Sequence, residues 1–258
     1  MNGVLFIGAT GLRAQQAAVD TVANNIANIN TPAFKRNSVA FSELVSQGLT
    51  TASVDAARAL TLDAPQGVMV ASSPKNFADG ELRKTDNPAD VAIRGPGFIE
   101  LMSPGGQTLL WRGSAVRVNP DGFLAAANGM QLKASISVPR DATNVQIAQN
   151  GVVSAVLPGA KRAEQIGQIE LVAVGDTRAL TAVGDGMYRL DDPLTDVTRG
   201  LPGEGTFGLV LQGYSEASNV NLADEMVGMV LMQRAYAANA RVIQVADEMM
   251  QTVNQMRR

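Results

Sequence analysis

The chain has 258 residues, of which 46% are apolar, 17% charged and 4% aromatic, with a formal net charge of −3. It contains no cysteine and no histidine, which excludes disulfides, thiolate nucleophiles, Cys/His zinc sites and every mechanism built on a histidine base. The slightly acidic balance excludes the basic footprint of a nucleic-acid binder, and the charged fraction lies below the ~25% of a typical soluble chain, which leaves much uncharged surface for partners.

No apolar run reaches the roughly 18 residues of a membrane span, so direct membrane insertion is not expected. Met1-Asn2-Gly3 lacks a basic n-region, and Arg13, Gln15 and Gln16 interrupt the apolar stretch early. The N-terminus therefore does not read as a cleaved signal peptide. The absence of cysteine suits an oxidising or extracellular location.

In chain order, residues 3–30 carry a helical period. Leu5, Leu12, Val19 and Ile26 recur every seven residues, and Ala9, Val22, Ala23 and Ile29 widen the stripe. This predicts a helix that ends near Asn28-Ile29-Asn30-Thr31-Pro32, because proline disfavours helical geometry in the residue before it and asparagine tolerates a left-handed cap. Asn24, Asn25, Asn28 and Asn30 make that end rich in amides. They act either as caps and turn formers or as buried polar groups that set helix register. Over 34–64 the signal is mixed, with an extended stretch at 34–44 and a short helix at 53–62.

From 65 to 215 the period falls to two. Asp79-Gly80, Asp121-Gly122, Asn128-Gly129 and Asn150-Gly151 are turn dipeptides that favour tight hairpins. Between them lie short strand-like runs at 90–93, 116–118, 136–138, 145–147, 152–156 and 169–174, which predict an all-β body rather than βαβ units. From 221 to 256 the helical period returns, with Asn219 or Asn221 as N-cap and Asp224 in a capping-box-like position. Leu231, Ala235, Ala238, Val242, Ala246, Met249, Val253 and Met256 step almost entirely by threes and fours, along a helix of roughly 50 Å. Gly228 is its weak point, at about 1 kcal/mol relative to alanine. The expected fold class is α+β. Long N- and C-terminal helices pair as a coiled-coil-like α domain, and a central all-β domain of short strands lies between them in sequence. The corresponding division is an N-terminal helix at 1–33, a linking or insertion segment at 34–66, a β-rich domain at 67–218 and a C-terminal helix at 219–258.

Catalytic or ligand-binding patterns are weak. Gly95-Pro96-Gly97 and Gly105-Gly106 are not followed by Gly-Lys-Ser/Thr and open no helix, so they read as turns rather than phosphate loops. Asp191, Asp192, Asp196 and Glu204 lack the alternating oxygen spacing of a calcium loop. No aromatic platform accompanies any carboxylate pair that would cleave sugars, since Trp111 is the sole tryptophan. Met226, Met229, Met232, Met249, Met250 and Met256 read as helix packing rather than as copper(I) ligands. No catalytic set, cofactor or metal is expected.

Three groups of motifs carry a resemblance. Ala23-Asn24-Asn25-Ile26-Ala27-Asn28 followed by Thr31-Pro32-Ala33-Phe34-Lys35-Arg36 resembles the N-terminal signature of the bacterial flagellar rod and hook proteins. Gln212-Gly213-Tyr214-Ser215-Glu216-Ala217-Ser218-Asn219-Val220-Asn221, with Gln233-Arg234-Ala235-Tyr236 in the helix beyond, resembles their C-terminal signature in the version typical of the distal rod. Residues 90–98 and 118–124 are similar to the β domain of the family. Ala33 stands where the family usually has glycine, Trp111-Arg112-Gly113-Ser114 replaces a Thr-Arg-Asp-Gly type of turn, and 46–66 occupies the place of the distal rod's insertion without resembling its sequence.

The resemblance implies a structural subunit with no active site. Its terminal helices would form an inner α domain that polymerises as a tube around the export channel, with the β domain outside. Implied partners are further copies of the chain, proximal rod and hook-side axial proteins, the surrounding P- and L-ring proteins, and the flagellar type III export apparatus. The implied location is the flagellar basal body in the periplasmic space. Two amphipathic helices, low charge and no catalytic set agree with such a polymer, since heterologous interfaces that do not close generate filaments. The expected packing and assembly residues are Leu5, Leu12, Val19, Val22 and Ile26, meeting Leu231, Ala235, Val242, Met249 and Val253 within one subunit or across neighbours. Arg257 and Arg258 either line the lumen or pair with the helix dipole. Competing readings are a proximal rod or hook subunit, a monomeric periplasmic binding module, and a periplasmic hydrolase with a carboxylate pair.

Overall fold

The computed structural model describes residues 2–44, 67–103, 107–142, 144–159, 162–191 and 196–256. It divides into two units, one of Met1–Ala27, Asn37–Asn76 and Asn221–Arg258, the other of Asn28–Arg36 and Phe77–Val220. The order along the chain is an N-terminal helix, a β-rich region and a C-terminal helix, the α+β class that the periodicity predicts. The short helix expected at 53–62 lies outside the described residues, as do Gly105, Gly106, Asp192, Arg257 and Arg258.

The helical unit contains α1 (Asn2–Ala27), α2 (Leu222–Met256) and a two-stranded antiparallel sheet that pairs Ala40–Glu43 with Val68–Ser72. The first helix stops where the amides and the proline predict. Beyond it, the Thr31 N–H donates to the Asn28 carbonyl at 3.1 Å and the Thr31 hydroxyl bonds the Asn28 side chain at 3.1 Å. Of the two candidate caps of α2, Asn221 fills the role: its Oδ1 accepts from the Ala223 N–H at 3.0 Å, satisfying one of the amides that a helix start leaves unpaired. Asp224 and Glu225 add negative charge to the first turn, where the dipole favours it. Asn219 has a different task in the β unit, described below.

The β unit is built on a six-stranded antiparallel sheet, in the order Leu180–Gly184, Met187–Leu190, Leu109–Trp111, Phe98–Leu101, Leu171–Val174 and Val197–Gly200. A four-stranded sheet orders Leu209–Gln212, Asp90–Arg94, Gly113–Val118 and Leu124–Ala126. Smaller sheets join Glu164–Gln168, Val152–Val156 and Asn144–Ile147, and Tyr214–Glu216 with Leu82–Lys84. Side chains alternate across a strand, so the large sheet carries two separate apolar clusters. Ile99, Leu101, Leu109, Trp111 and Leu171 join the main core, while Phe98, Leu110, Val172, Leu180 and Tyr188 form the second. Phe77, Phe98 and Tyr188 meet edge to face, with ring centres 5.1–5.8 Å apart, the geometry their quadrupoles favour.

Three of the four turn dipeptides behave as their composition predicts, with Gly122, Gly129 and Gly151 at positive φ. At Gly151 a Cβ would also sit 2.5 Å from the Ile169 carbonyl oxygen, so only glycine fits. Asp79-Gly80 closes no such turn. The glycine is there because a Cβ would come within 2.0 Å of the Ala217 carbonyl oxygen, and Asp79 is there for its carboxylate. The run at 136–138 forms no strand and contributes only a single bridge, Phe123 to Ser137.

Candidate functional site

Gly8 of α1 lies against Ile243 of α2, Gly11 against Asn239, and Asn25 against Glu225, so the two helices run antiparallel. Apart from Asn25, the deepest residues of α1 are small ones, Gly8, Gly11, Ala14 and Ala18. A Cβ on Gly8 would stand 2.6 Å from Ile243 Cγ1, and one on Gly11 3.0 Å from Asn239 Nδ2. The absence of side-chain bulk is thus what lets the backbones approach. Leu5, Leu12, Val19, Val22 and Ile26 flank this seam half-buried. On α2 the side turned to α1 comprises Glu225, Met229, Met232, Asn239, Ile243, Ala246 and Met250, all buried or half-buried and spaced close to a heptad, with Ala235 half-buried beside them.

The seam also holds a polar node. Asn25 is 1% exposed; its Nδ2 donates to the Asn37 carbonyl at 2.8 Å and to Glu225 Oε2 at 3.1 Å, and its Oδ1 accepts from the Asn37 N–H at 2.9 Å. Lys75 donates to the Asn37 side chain, and burial holds its ammonium pKa below the usual lysine range. Of the two roles open to the amide-rich helix end, Asn25 takes the buried register role and Asn28 the turn role. Asn24 is exposed.

The opposite side of α2 leaves large apolar groups in solvent. Met226, Val227, Val230, Leu231, Val242, Val245, Met249, Val253 and Met256 are all at least 41% exposed, with Met256 at 76%. Leu231, Val242, Met249 and Val253, singled out by sequence periodicity, therefore lie on this free face and not in the seam. Arg234 borders a shallow apolar depression lined by Met226, Val227, Val230 and Leu231. Gln233 and Tyr236 are exposed as well.

In the β unit, the segment after α1 is locked by a buried ionic cluster. Lys35 Nζ donates to Glu216 Oε1 at 2.7 Å and to the Ala78 carbonyl at 2.8 Å. Arg112 reaches Glu216 Oε2 at 3.3 Å, the Gly97 carbonyl at 2.7 Å and Asp79 Oδ1 at 2.6 Å. The Gly80 N–H adds a second donor to Glu216 Oε1 at 2.8 Å. Lys35, Arg112 and Glu216 are each at most 3% exposed. Two cations and two carboxylates balance, and every side-chain nitrogen of Lys35 and Arg112 has at least one acceptor, which is the condition for tolerating buried charge. Burial is the main force lowering the Lys35 pKa, helped by Arg112 and opposed by Glu216. Arg112 also lies 5.8 Å from the centre of the Phe98 ring.

The remaining motif residues support this cluster. Ala33 adopts φ +57°, and its N–H donates to the Glu216 carbonyl at 2.8 Å. Asn219 Oδ1 accepts from the Arg36 N–H at 2.7 Å, its Nδ2 donates to the Ala78 carbonyl at 2.9 Å, and its own N–H donates to the Phe34 carbonyl at 3.4 Å. Thr31 and Phe34 are half-buried, and Val220 is buried. Sequence reading placed Lys35 and Glu216 in separate motifs and treated Arg112 as part of a turn. Their only local signal was that charged residues stood inside motifs.

Chemistry beyond packing is sparse. Among the described residues, no group of three or more His, Cys, Asp and Glu side chains is arranged to hold a metal ion, and no helix is long and apolar enough to cross a membrane. Gly97 offers its carbonyl to Arg112, and Asp191 bonds Thr181 and Arg189. The elements richest in unusual features are the two chain ends and the segments that flank them.

Both ends and part of the β body match known families. Residues 5–35 match the flagella basal body rod protein family, 92–155 the flagellar hook protein FlgE/F/G D1 domain, and 211–256 the flagellar basal body rod FlgEFG protein C-terminal family. The flagellar basal-body rod protein FlgG of Buchnera aphidicola subsp. Schizaphis graminum is 34% identical over 98% of this chain and 98% of its own length. FlgG of Caulobacter vibrioides is 34% identical over 96% of this chain and 97% of its own, and the rod protein FlgF of that organism is 29% identical over 96% and 95%. With helix seam, buried clusters and β body all inside one end-to-end similarity, the chain belongs to the flagellar basal-body rod proteins, a family of structural subunits.

Proposed function

We propose that the chain is a subunit of the distal rod, polymerising helically into a shaft that crosses the periplasm, carries torque from motor to hook and encloses the export channel. The observation that carries this reading is the exposed face of α2, nine large apolar side chains from Met226 through Met256. Covering a side chain of this kind is worth about 1.5–3 kcal/mol. Nine such side chains, each already about half covered, are together worth roughly 7–14 kcal/mol, of the order of the ~4–15 kcal/mol that association costs. A face of this size with no partner among the described residues is what a polymer interface needs.

In this reading α1 and α2 pair in a coiled-coil-like manner, with Leu5, Leu12, Val19, Val22 and Ile26 at the edges of the seam and Leu231, Val242, Met249 and Val253 held by neighbouring subunits. The subunit does no chemistry. Proximal rod and hook-side proteins adjoin the polymer along its axis, ring proteins surround it, and the flagellar type III apparatus delivers it. The higher identity to Caulobacter FlgG than to its FlgF, 34% against 29%, favours the distal type. The test is Val242→Asp in the full chain, with assembly followed by sedimentation and the β unit by fluorescence of buried Trp111. Assembly is expected to be lost with the Trp111 signal unchanged. Rods that form normally with aspartate at this position would refute the reading.

A further inference from the structure

With eleven methionines and no cysteine, thioethers are the only sulfur in the protein open to oxidation. The six methionines of α2 separate into two sets. Met229, Met232 and Met250 are half-buried towards α1, whereas Met226, Met249 and Met256 are 57%, 52% and 76% exposed on the free face. Their apolar neighbours on that face are valine and leucine, which mild peroxide leaves unchanged. Reaction requires the oxidant to reach the sulfur lone pair, and the product sulfoxide is polar and hydrogen-bonding where the thioether was apolar.

We propose that Met226, Met249 and Met256 are three separate oxidation positions for small peroxides along α2, and that their oxidation switches its free face from associating to non-associating. In each event the peroxide O–O bond breaks and one oxygen bonds to the methionine sulfur. The sulfur loses two electrons, and the peroxide is reduced to water (or to the corresponding alcohol). A sulfoxide buried between subunits without a hydrogen-bond donor opposing it carries the penalty of any unsatisfied polar group. The switch rests on the reading of this face as an assembly surface, while the three positions themselves rest only on exposure. Internal controls are built into the chain. Met69 and Met102 are 45% and 48% exposed but lie off α2, so their oxidation should be silent. Met187 is 6% exposed, and its sulfur accepts from Asn128 Nδ2 at 3.1 Å, so it should react last.

The experiment treats the full chain with graded hydrogen peroxide, maps sulfoxides by peptide mass, and measures association by sedimentation over a concentration series. Met226, Met249 and Met256 should oxidise ahead of Met229, Met232, Met250 and Met187, and association should weaken at least about tenfold, a change of ~1.4 kcal/mol. The triple variant M226L/M249L/M256L is compared with itself before and after peroxide, and whatever association it shows should be unchanged by the treatment. Unchanged association of the parent once all three are sulfoxides, or equal peroxide sensitivity of the triple variant, overturns the switch. Oxidation of the two sets at equal rates overturns the three positions. An unoxidised Val242→Asp chain that associates like the parent, or a parent that stays monomeric at every concentration, overturns the assembly reading and the switch with it. The order of oxidation is then still decided by the mass map.

Discussion

The helical unit and the β unit handle their apolar surface in opposite ways. In the β unit, Ile93, Leu110, Trp111, Leu171 and Val210 are at most 1% exposed, and Lys35, Arg112 and Glu216 are buried together. In α2 only Glu225 and Ala246 are buried, and the large side chains face solvent. One unit closes its own core; the other sets small residues of α1 at the closest approach of its two helices and leaves nine large side chains of α2 in solvent. Amphipathicity alone does not reveal this, because a helix face meant for a neighbour is as apolar as one meant for the core.

The comparison breaks most severely at Glu216. Glu216→Ala leaves the buried Lys35 without a carboxylate and Arg112 with Asp79 alone, which is expected to cost the β unit about 3–5 kcal/mol. Denaturant unfolding followed by Trp111 fluorescence, which reports the β unit alone, measures it, and a loss below about 1 kcal/mol would mean the cluster is not the lock described. Gly8→Leu forces bulk against Ile243, an overpacking of about 1–3 kcal/mol. It should lower the stability of the helices, read by far-ultraviolet circular dichroism, while the Trp111 transition stays in place.

Glu100 sharpens the contrast by pH. Burial alone would raise its pKa, but hydrogen bonds from Arg199 and Lys133 outweigh burial and hold it below the ordinary value. A carboxylate with a lowered folded-state pKa stabilises above the unfolded value of about 4.3, and that stabilisation is lost as pH falls through the folded value. Glu100→Gln should therefore cost about 1 kcal/mol at neutral pH, since both partners are near half-exposed. It should also flatten the acid-side decline of the Trp111 transition.

The smallest effect is expected at Ala33. Glycine relieves about 1 kcal/mol of left-handed strain but removes a buried methyl worth about 0.8 kcal/mol. Ala33→Gly should thus stay within about 1 kcal/mol of the parent by the same fluorescence assay. Ala33→Val, β-branched and crowding Gly186, should be clearly worse; equal effects of the two would show that the positive φ does not matter here.

Much of the architecture is legible in the sequence. The end of α1 follows from Asn28 and Pro32, three hairpins follow from Asp-Gly and Asn-Gly pairs, and the absence of cysteine and histidine removes whole classes of chemistry. These are local properties, set by dihedral preference and by which side chains are present at all. The tertiary structure decided what depends on residues far apart in sequence. Lys35 and Glu216 are separated by 181 positions and Arg112 and Glu216 by 104, so no window of sequence contains their pairing. The choice of Asn221 over Asn219 as cap turned on Arg36 and Ala78 claiming the Asn219 side chain. The seam of α1 runs along Gly8, Gly11, Ala14 and Ala18 because close backbone approach rewards small residues. Hydrophobic periodicity ranks the large ones first, and so it marked the edges of the seam and the free face of α2.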